Sequence, residues 1–181
     1  MPMSNIRYLI DKLEEQSSLT HAEYTQIISG ASASDSEYLF VKAEKTRQKY
    51  SGRDIFVRGL IEFTNHCRND CLYCGIRRSN LNCQRYRLSK EDILECCKKG
   101  YDAGFRTFVM QGGEDPFYKP DMMCDIIRSI KTEHPDCAVT LSFGEFPTEI
   151  YRQFKAAGAD RYLLRHETAD NDHYSRLHPE E

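Results

Sequence analysis

The chain has 181 residues, of which 25 are Lys or Arg and 28 are Asp or Glu, so its formal net charge at pH 7 is −3. It lacks the basic excess that nucleic-acid binding needs and any apolar run near the roughly 18 residues of a membrane span, so it is expected to bind neither nucleic acid nor membrane. Because its first residues also lack the apolar core of a signal peptide, we predict a cytoplasmic protein.

The beginning of the chain is predicted to be helical, over residues 4–50. Apolar residues recur at helical spacing over residues 6–13, and Thr20 is a candidate N-cap for a second helix that ends at Gly30. A third helix is predicted over residues 34–50, ending in a basic turn that suits the negative end of a helix dipole.

From residue 55 onward the pattern changes to strands that alternate with helices. The predicted strands cover residues 55–64, 107–110, 138–144 and 161–165. The helices between them are predicted over residues 89–104, 121–134 and 147–158. This alternation predicts a parallel sheet, either doubly wound or in a barrel.

We assign the chain to the α/β class, as a (β/α)8 TIM-barrel type of which about the first four β/α units are present. A complete barrel takes about 250 residues, so the chain is expected to be part of a longer protein. The predicted domains are an N-terminal helical segment, residues 1–52, and a partial β/α barrel, residues 53–181.

A cysteine cluster directly follows the first predicted strand. Eight cysteines are numerous for a chain predicted to lie in a reducing compartment, and Cys67, Cys71 and Cys74 have the spacing C-x3-C-x2-C. Three thiolates on a short loop can hold three corners of a [4Fe–4S] cluster and leave its fourth iron open. A zinc site is the alternative, but a second C-x2-C pair is not found downstream. The remaining helical cysteines are predicted to be buried thiols: Cys96, Cys97 and Cys124.

A second motif, Gly112-Gly113-Glu114, stands at the end of the second predicted strand. Glycines let the backbone approach a ligand closely, and a carboxylate at this end of a barrel strand can accept hydrogen bonds from a cation. Taken alone, the motif is also compatible with an ordinary turn between strand and helix.

Both motifs resemble those of the radical S-adenosylmethionine (SAM) superfamily, in which an aromatic residue such as Tyr73 precedes the last cysteine. Longer stretches resemble the FeFe-hydrogenase maturases of the HydE family, in the biotin-synthase-like group: residues 61–78, 85–87, 111–116 and 161–168. The resemblance implies that SAM chelates the open iron. One electron from the cluster then cleaves SAM to methionine and a 5′-deoxyadenosyl radical, which abstracts hydrogen from a small-molecule substrate.

The resemblance also implies roles for individual residues. It implies that the three cysteines ligate the cluster and that Tyr73 packs near the adenine of SAM. It also implies that the methionine ammonium of SAM is bound by Gly112, Gly113 and Glu114. As an alternative, Tyr73 is a core aromatic residue beneath the loop.

Four further positions are expected to point into the barrel. Thr140 and Ser142 lie two apart on the third predicted strand, and Arg165 and Glu167 repeat this spacing on the fourth. The resemblance implies that Thr140 faces substrate and that Ser142, Arg165 and Glu167 face SAM. A guanidinium suits a carboxylate, and a carboxylate can accept from a ribose hydroxyl. The alternative is that all four are structural polar residues of the barrel.

The implied activity is a step in maturation of the FeFe-hydrogenase diiron subcluster, with other maturation proteins and an electron donor such as flavodoxin or ferredoxin as partners. Biotin synthase, methylornithine synthase and a non-catalytic metal-binding fragment are the alternatives. The polar residues Asp170, Asp172 and His173 are predicted to cap and solvate a short helix rather than to bind metal.

Overall fold

The computed structural model describes residues 5–179, which divide into two compact units after Phe56. The predicted domain boundary at residue 52 falls in the same connection, between the last helix of the first unit and the sheet of the second. Ser4, where the predicted helical region begins, lies outside the described residues.

The first unit consists of three helices: α1 (Asn5–Gln16), α2 (His21–Gly30) and α3 (Ala33–Ser51). The predicted N-cap Thr20 is confirmed, since its hydroxyl accepts from the backbone N–H of Glu23 at 3.4 Å and Glu23 accepts from the backbone N–H of Thr20 at 2.9 Å. The third helix begins one residue earlier than predicted because Ser32 caps it, in the same reciprocal way, with Asp35.

The second unit is a four-stranded parallel sheet in the order β1-β2-β3-β4, with helices in the connections. Its elements are β1 (Gly59–Thr64), α4 (Lys90–Asp102), β2 (Thr107–Gly112), α5 (Pro120–Glu133), β3 (Ala138–Ser142), α6 (Thr148–Ala157), β4 (Arg161–Tyr162) and α7 (Asn171–Leu177). This arrangement confirms the predicted fold class.

The two faces of the sheet differ in composition. One face, which we call the helix-covered face, is apolar and packs with buried residues of α4, α5 and α6; it carries Ile61, Phe63, Phe108, Met110, Val139 and Leu141. The intervening residues form what we call the open face: Leu60, Glu62, Val109, Gln111, Thr140 and Ser142. The strand register aligns Glu62, Gln111 and Ser142 across three strands, so the open face carries a polar row near the carboxyl ends of the strands.

Three predicted strands, the first, third and fourth, are shorter than expected. The first begins at Gly59 rather than at residue 55 because its neighbour β2 begins only at Thr107, which leaves the preceding residues without a pairing strand. The fourth is confined to Arg161–Tyr162 rather than extending to residue 165. Its neighbour β3 ends at Ser142 instead of residue 144, where Gly144 takes a φ of 130° and redirects the chain.

The helical cysteines are buried at two of the three predicted positions. Cys97 and Cys124 are buried, but Cys96 is exposed and that prediction was wrong. Successive residues of an α-helix are turned by about 100°, so a helix that directs Cys97 into the core directs Cys96 away from it. Within residues 5–179, the helices are all too short or too polar to cross a membrane.

Candidate functional site

The three cysteines of the C-x3-C-x2-C motif lie on the connection between β1 and α4, which we call the cysteine loop (residues 65–88). Cys67, Cys71 and Cys74 are half-buried, and all three line one cleft of about 380 Å³. The Gly112-Gly113-Glu114 motif lines the same cleft. The structure therefore brings together the two motifs that the sequence singled out.

Arg85 holds the cysteine loop in shape, a role that the sequence analysis did not assign. Its guanidinium donates to the backbone oxygens of Ile76 at 2.8 Å, Arg77 at 2.7 Å and Asn80 at 3.3 Å, and also to that of Asn65. These acceptors lie before and after the cysteine motif, so the side chain of Arg85 links the two segments that flank the motif. The planar guanidinium, with five N–H donors, suits this task.

The end of β2 packs directly against the loop. A Cβ atom on Gly113 would overlap the backbone oxygen of His66 and would lie 2.8 Å from the Cβ of Cys67, so only glycine fits here. The backbone N–H of Glu114 donates to the Sγ of Cys67 at 3.4 Å, and the N–H of Arg68 donates to the backbone oxygen of Glu114 at 2.9 Å.

The Glu114 carboxylate is mostly buried and accepts from cationic and neutral donors. Asn69 donates to it at 2.9 Å, and the guanidinium of Arg68 forms an ion pair with it. A Cβ on Gly144 would lie 2.7 Å from the Cγ of Glu114, so glycine is required on this side of the carboxylate too. The position therefore accommodates a cation, here the guanidinium of Arg68, whose side chain is 61% exposed.

Asp115, the next residue, connects the end of β2 with Thr64 and Arg87 and was also missed by the sequence analysis. It accepts from the hydroxyl of Thr64 at 2.8 Å and from two nitrogens of Arg87 at 2.7 and 2.9 Å. Burial by itself would raise the pKa of Asp115, but these hydrogen bonds, with one from the N–H of Phe117, bring its pKa below the ordinary value.

The predicted inward-pointing residues are only partly gathered at the cleft. Ser142, Arg165 and Glu167 line it, whereas Thr140 lies on the open face outside the cleft lining. Arg165 and Glu167 follow β4 in irregular structure, so strand alternation does not place them there. Glu167 has a φ of 57°, an uncommon conformation for a residue with a side chain.

Tyr73 also lines the cleft and is 49% exposed, so it is not a core aromatic residue. Its hydroxyl lies 2.9 Å from Nε2 of His178. Burial, and after it the negative charge of Glu167, raises the pKa of Tyr73 above its ordinary value. Asp170 takes the predicted capping role, since its side chain accepts from the backbone N–H of His173 at 2.7 Å, whereas Asp172 and His173 lie within the helix.

The donor set of the cleft fits an iron–sulfur cluster, because three cysteines of one loop line it. Within residues 5–179, His, Cys, Asp and Glu side chains are nowhere gathered in a group of three that could hold one metal ion. A cubane takes its thiolates at separate corners, so its ligands need not converge on one point. Three half-buried thiols on one loop, one of them already accepting an N–H hydrogen bond, meet that requirement.

The fold and the site define a partial β/α barrel with a cysteine-lined cleft at the carboxyl ends of its strands. The family model for the radical SAM superfamily matches residues 61–180, so the chain belongs to this superfamily of enzymes. The family implies a [4Fe–4S] cluster and SAM.

Two curated relatives and one solved structure are similar over nearly the whole chain. The FeFe-hydrogenase maturase subunit HydE of Thermotoga maritima is 44% identical over 96% of this chain and 49% of its own length. The 3-methylornithine synthase of Methanosarcina acetivorans is 31% identical over 92% of this chain and 48% of its own. A crystal structure of methylornithine synthase (PylB) superposes with a TM-score of 0.83 at 30% identity, over 96% of this chain and 51% of that one. The chain thus spans about half the length of these relatives.

Proposed function

We propose that this chain forms the cluster-binding and SAM-binding half of a radical SAM enzyme that acts in FeFe-hydrogenase maturation. The observation that carries the proposal is the single cleft lined by three half-buried thiols and by the Glu114 carboxylate. The maturase role is supported by the 44% identity to HydE, which exceeds the 31% identity to 3-methylornithine synthase over a similar length.

In this proposal Cys67, Cys71 and Cys74 hold the [4Fe–4S] cluster. When bound, the cluster and SAM supply the electron and the carbon–sulfur bond cleavage that start radical chemistry. The cleft residues bind and orient the cofactor. Glu114 accepts hydrogen bonds from the methionine ammonium in place of Arg68, and Gly112 and Gly113 let the backbone approach it.

The remaining cleft residues have distinct binding roles in the proposal. Arg165 offers a guanidinium to the carboxylate of SAM, and Glu167 accepts from a ribose hydroxyl. Tyr73 lies beside the adenine, Ser142 contacts the cofactor, and Thr140 faces a small-molecule substrate. Other maturation proteins and a flavodoxin or ferredoxin as electron donor complete the proposal.

Anaerobic reconstitution with iron and sulfide tests the radical SAM part. We expect about four irons and four sulfides per chain and an EPR signal that changes when SAM is added to the reduced protein. Cys71→Ala should lose the signal, whereas Cys96→Ala, which changes an exposed cysteine outside the cleft, should keep it. One zinc without sulfide in the wild-type chain would overturn this part.

Complementation tests the maturase part. The full-length protein that contains this chain would be expressed with the hydrogenase and the other maturation proteins in a host without its own HydE. We expect hydrogenase activity to return with the wild type and not with Cys71→Ala. No activity from a protein with a SAM-dependent EPR change would instead favour a methylornithine synthase-like reaction.

A further inference from the structure

Helix α7 is joined to the cysteine loop by two neighbouring contacts. The backbone N–H of Leu72 donates to the backbone oxygen of Leu177 at 3.0 Å. The hydroxyl of Tyr73 lies 2.9 Å from Nε2 of His178, although the two residues are 105 positions apart. Both contacts fall between the second and third cysteines of the motif.

The surroundings of His178 fix the direction of these hydrogen bonds. Its Nδ1 lies 2.9 Å from the backbone oxygen of Tyr174, and because a carbonyl oxygen can only accept, Nδ1 must carry the proton that it donates. In the neutral ring, Nε2 is then an acceptor, so the hydroxyl of Tyr73 donates to it. The ring is 4% exposed and stacks on that of Tyr174 at a centroid distance of 3.9 Å.

Tyr73 has one proton to donate, and a second acceptor is near. The carboxylate of Glu167 acts on the same hydroxyl through its charge and through a hydrogen bond, so it competes with His178 as an acceptor. While His178 accepts the hydrogen bond, the oxygens of Glu167 are available to a ligand in the cleft that both residues line. The rings of Tyr73 and His178 also pack against each other in a T-shaped arrangement, with centroids 5.5 Å apart and an interplanar angle of 81°.

We infer that His178 is a positioning residue, which fixes the segment between Cys71 and Cys74 by accepting a hydrogen bond from the hydroxyl of Tyr73. This inference rests on the proposed function, in which the two cysteines that flank this segment hold the cluster. His178 lines the same cleft, but both of its ring nitrogens are engaged, Nδ1 with the backbone oxygen of Tyr174 and Nε2 with the hydroxyl of Tyr73. It acts through Tyr73, and the adjacent Leu72–Leu177 hydrogen bond adds a second fixed point.

Amide hydrogen exchange on the metal-free chain tests the inference without depending on cluster assembly. His178→Phe keeps an aromatic ring against Tyr174 but removes the acceptor. We expect about fivefold faster exchange in peptides covering residues 67–77, the effect of losing one net hydrogen bond, with unchanged exchange in the sheet. Tyr73→Phe should have the same effect, and the double variant should add nothing further.

Two controls separate positioning from general stability. His173→Phe changes an exposed histidine of α7, the helix that directly precedes His178, and should leave exchange in the loop as in the wild type. His178→Gln supplies an amide oxygen as acceptor and should restore part of the protection. In the reconstituted protein, His178→Phe should weaken the EPR change caused by SAM.

Wild-type exchange in the loop of His178→Phe would overturn the inference, and so would faster exchange throughout the sheet, which indicates a loss of overall stability. If the wild-type chain takes up no iron and sulfide, the proposed function fails. The exchange result then still shows whether His178 orders the loop. If the cluster assembles and responds to SAM while His178→Phe behaves as the wild type in both measurements, only the inference fails.

Discussion

The two faces of the sheet are built from alternate residues of the same strands, and they differ in what their residues do. On β2, Phe108 and Met110 of the helix-covered face are 1% and 0% exposed, whereas Val109 and Gln111 of the open face keep part of their surface accessible. The first pair stabilises the fold by apolar burial. The open face instead presents polar groups next to the cleft. Stability and proposed chemistry therefore depend on different residues of one strand.

The largest expected effect on stability comes from truncating the helix-covered face. Met110→Ala removes a fully buried side chain and should lower the free energy of unfolding by about 2–5 kcal/mol. The neighbouring substitution Gln111→Ala on the open face should cost less than about 1 kcal/mol. Urea unfolding followed by circular dichroism measures both, and equal costs would break the distinction between the two faces.

A smaller effect is expected where the open face meets the cysteine loop. In Gly113→Ala the new methyl group meets the backbone of His66, so we expect a loss of about 1–3 kcal/mol in unfolding free energy and reduced iron uptake. Gly75→Ala is the matched control, because a Cβ there meets nothing within 4 Å although Gly75 directly follows Cys74. Normal iron uptake in Gly113→Ala would show that the contact with His66 is not needed.

Asp115 gives a prediction with a defined pH dependence. Its folded-state pKa is below the ordinary value, so its contribution to stability is present above the unfolded-state pKa, near 4, and is lost as the pH falls through the folded-state pKa. Asp115→Asn should cost about 1–3 kcal/mol at about pH 6. This difference from the wild type should shrink as the pH approaches about 3, and a constant difference in unfolding experiments over this range would contradict the assignment.

The smallest expected effect comes from a polar atom among the apolar contacts of the helix-covered face. Among the described residues, Nε2 of His134 is the one buried side-chain nitrogen or oxygen atom without a hydrogen-bond partner. Its ring stacks on Tyr101 at a centroid distance of 4.5 Å. His134→Phe keeps the ring and removes the polar atom, so the midpoint of thermal unfolding should rise, by an amount equivalent to about 1 kcal/mol. A lower midpoint would mean that Nε2 has a partner.

The sequence predicted the parts of the fold and site that depend on local pattern. The cysteine spacing, the Gly-Gly-Glu motif and the strand-helix alternation are all contained in short segments. Strand ends were less predictable, because the start of β1 and the end of β4 depend on where a neighbouring strand begins or turns.

Three residues that organise the site were missed for a related reason. Arg85 and Asp115 act on backbone and side chains that only the folded loop brings to them, and His178 contacts a residue far away in the chain. Each of these residue types is common at solvated surfaces, so composition and periodicity give no signal for such roles.

The hydrogen bonds of Arg85 have a consequence for which substitutions the cysteine loop tolerates. Its acceptors are backbone oxygens, which every residue carries, so the side chains of Ile76 and Arg77 can change without the loss of an acceptor. The donor has no such freedom, because a lysine in its place would present one ammonium group instead of a planar fork of N–H donors. Sequence variation is therefore expected at the acceptor positions and not at Arg85.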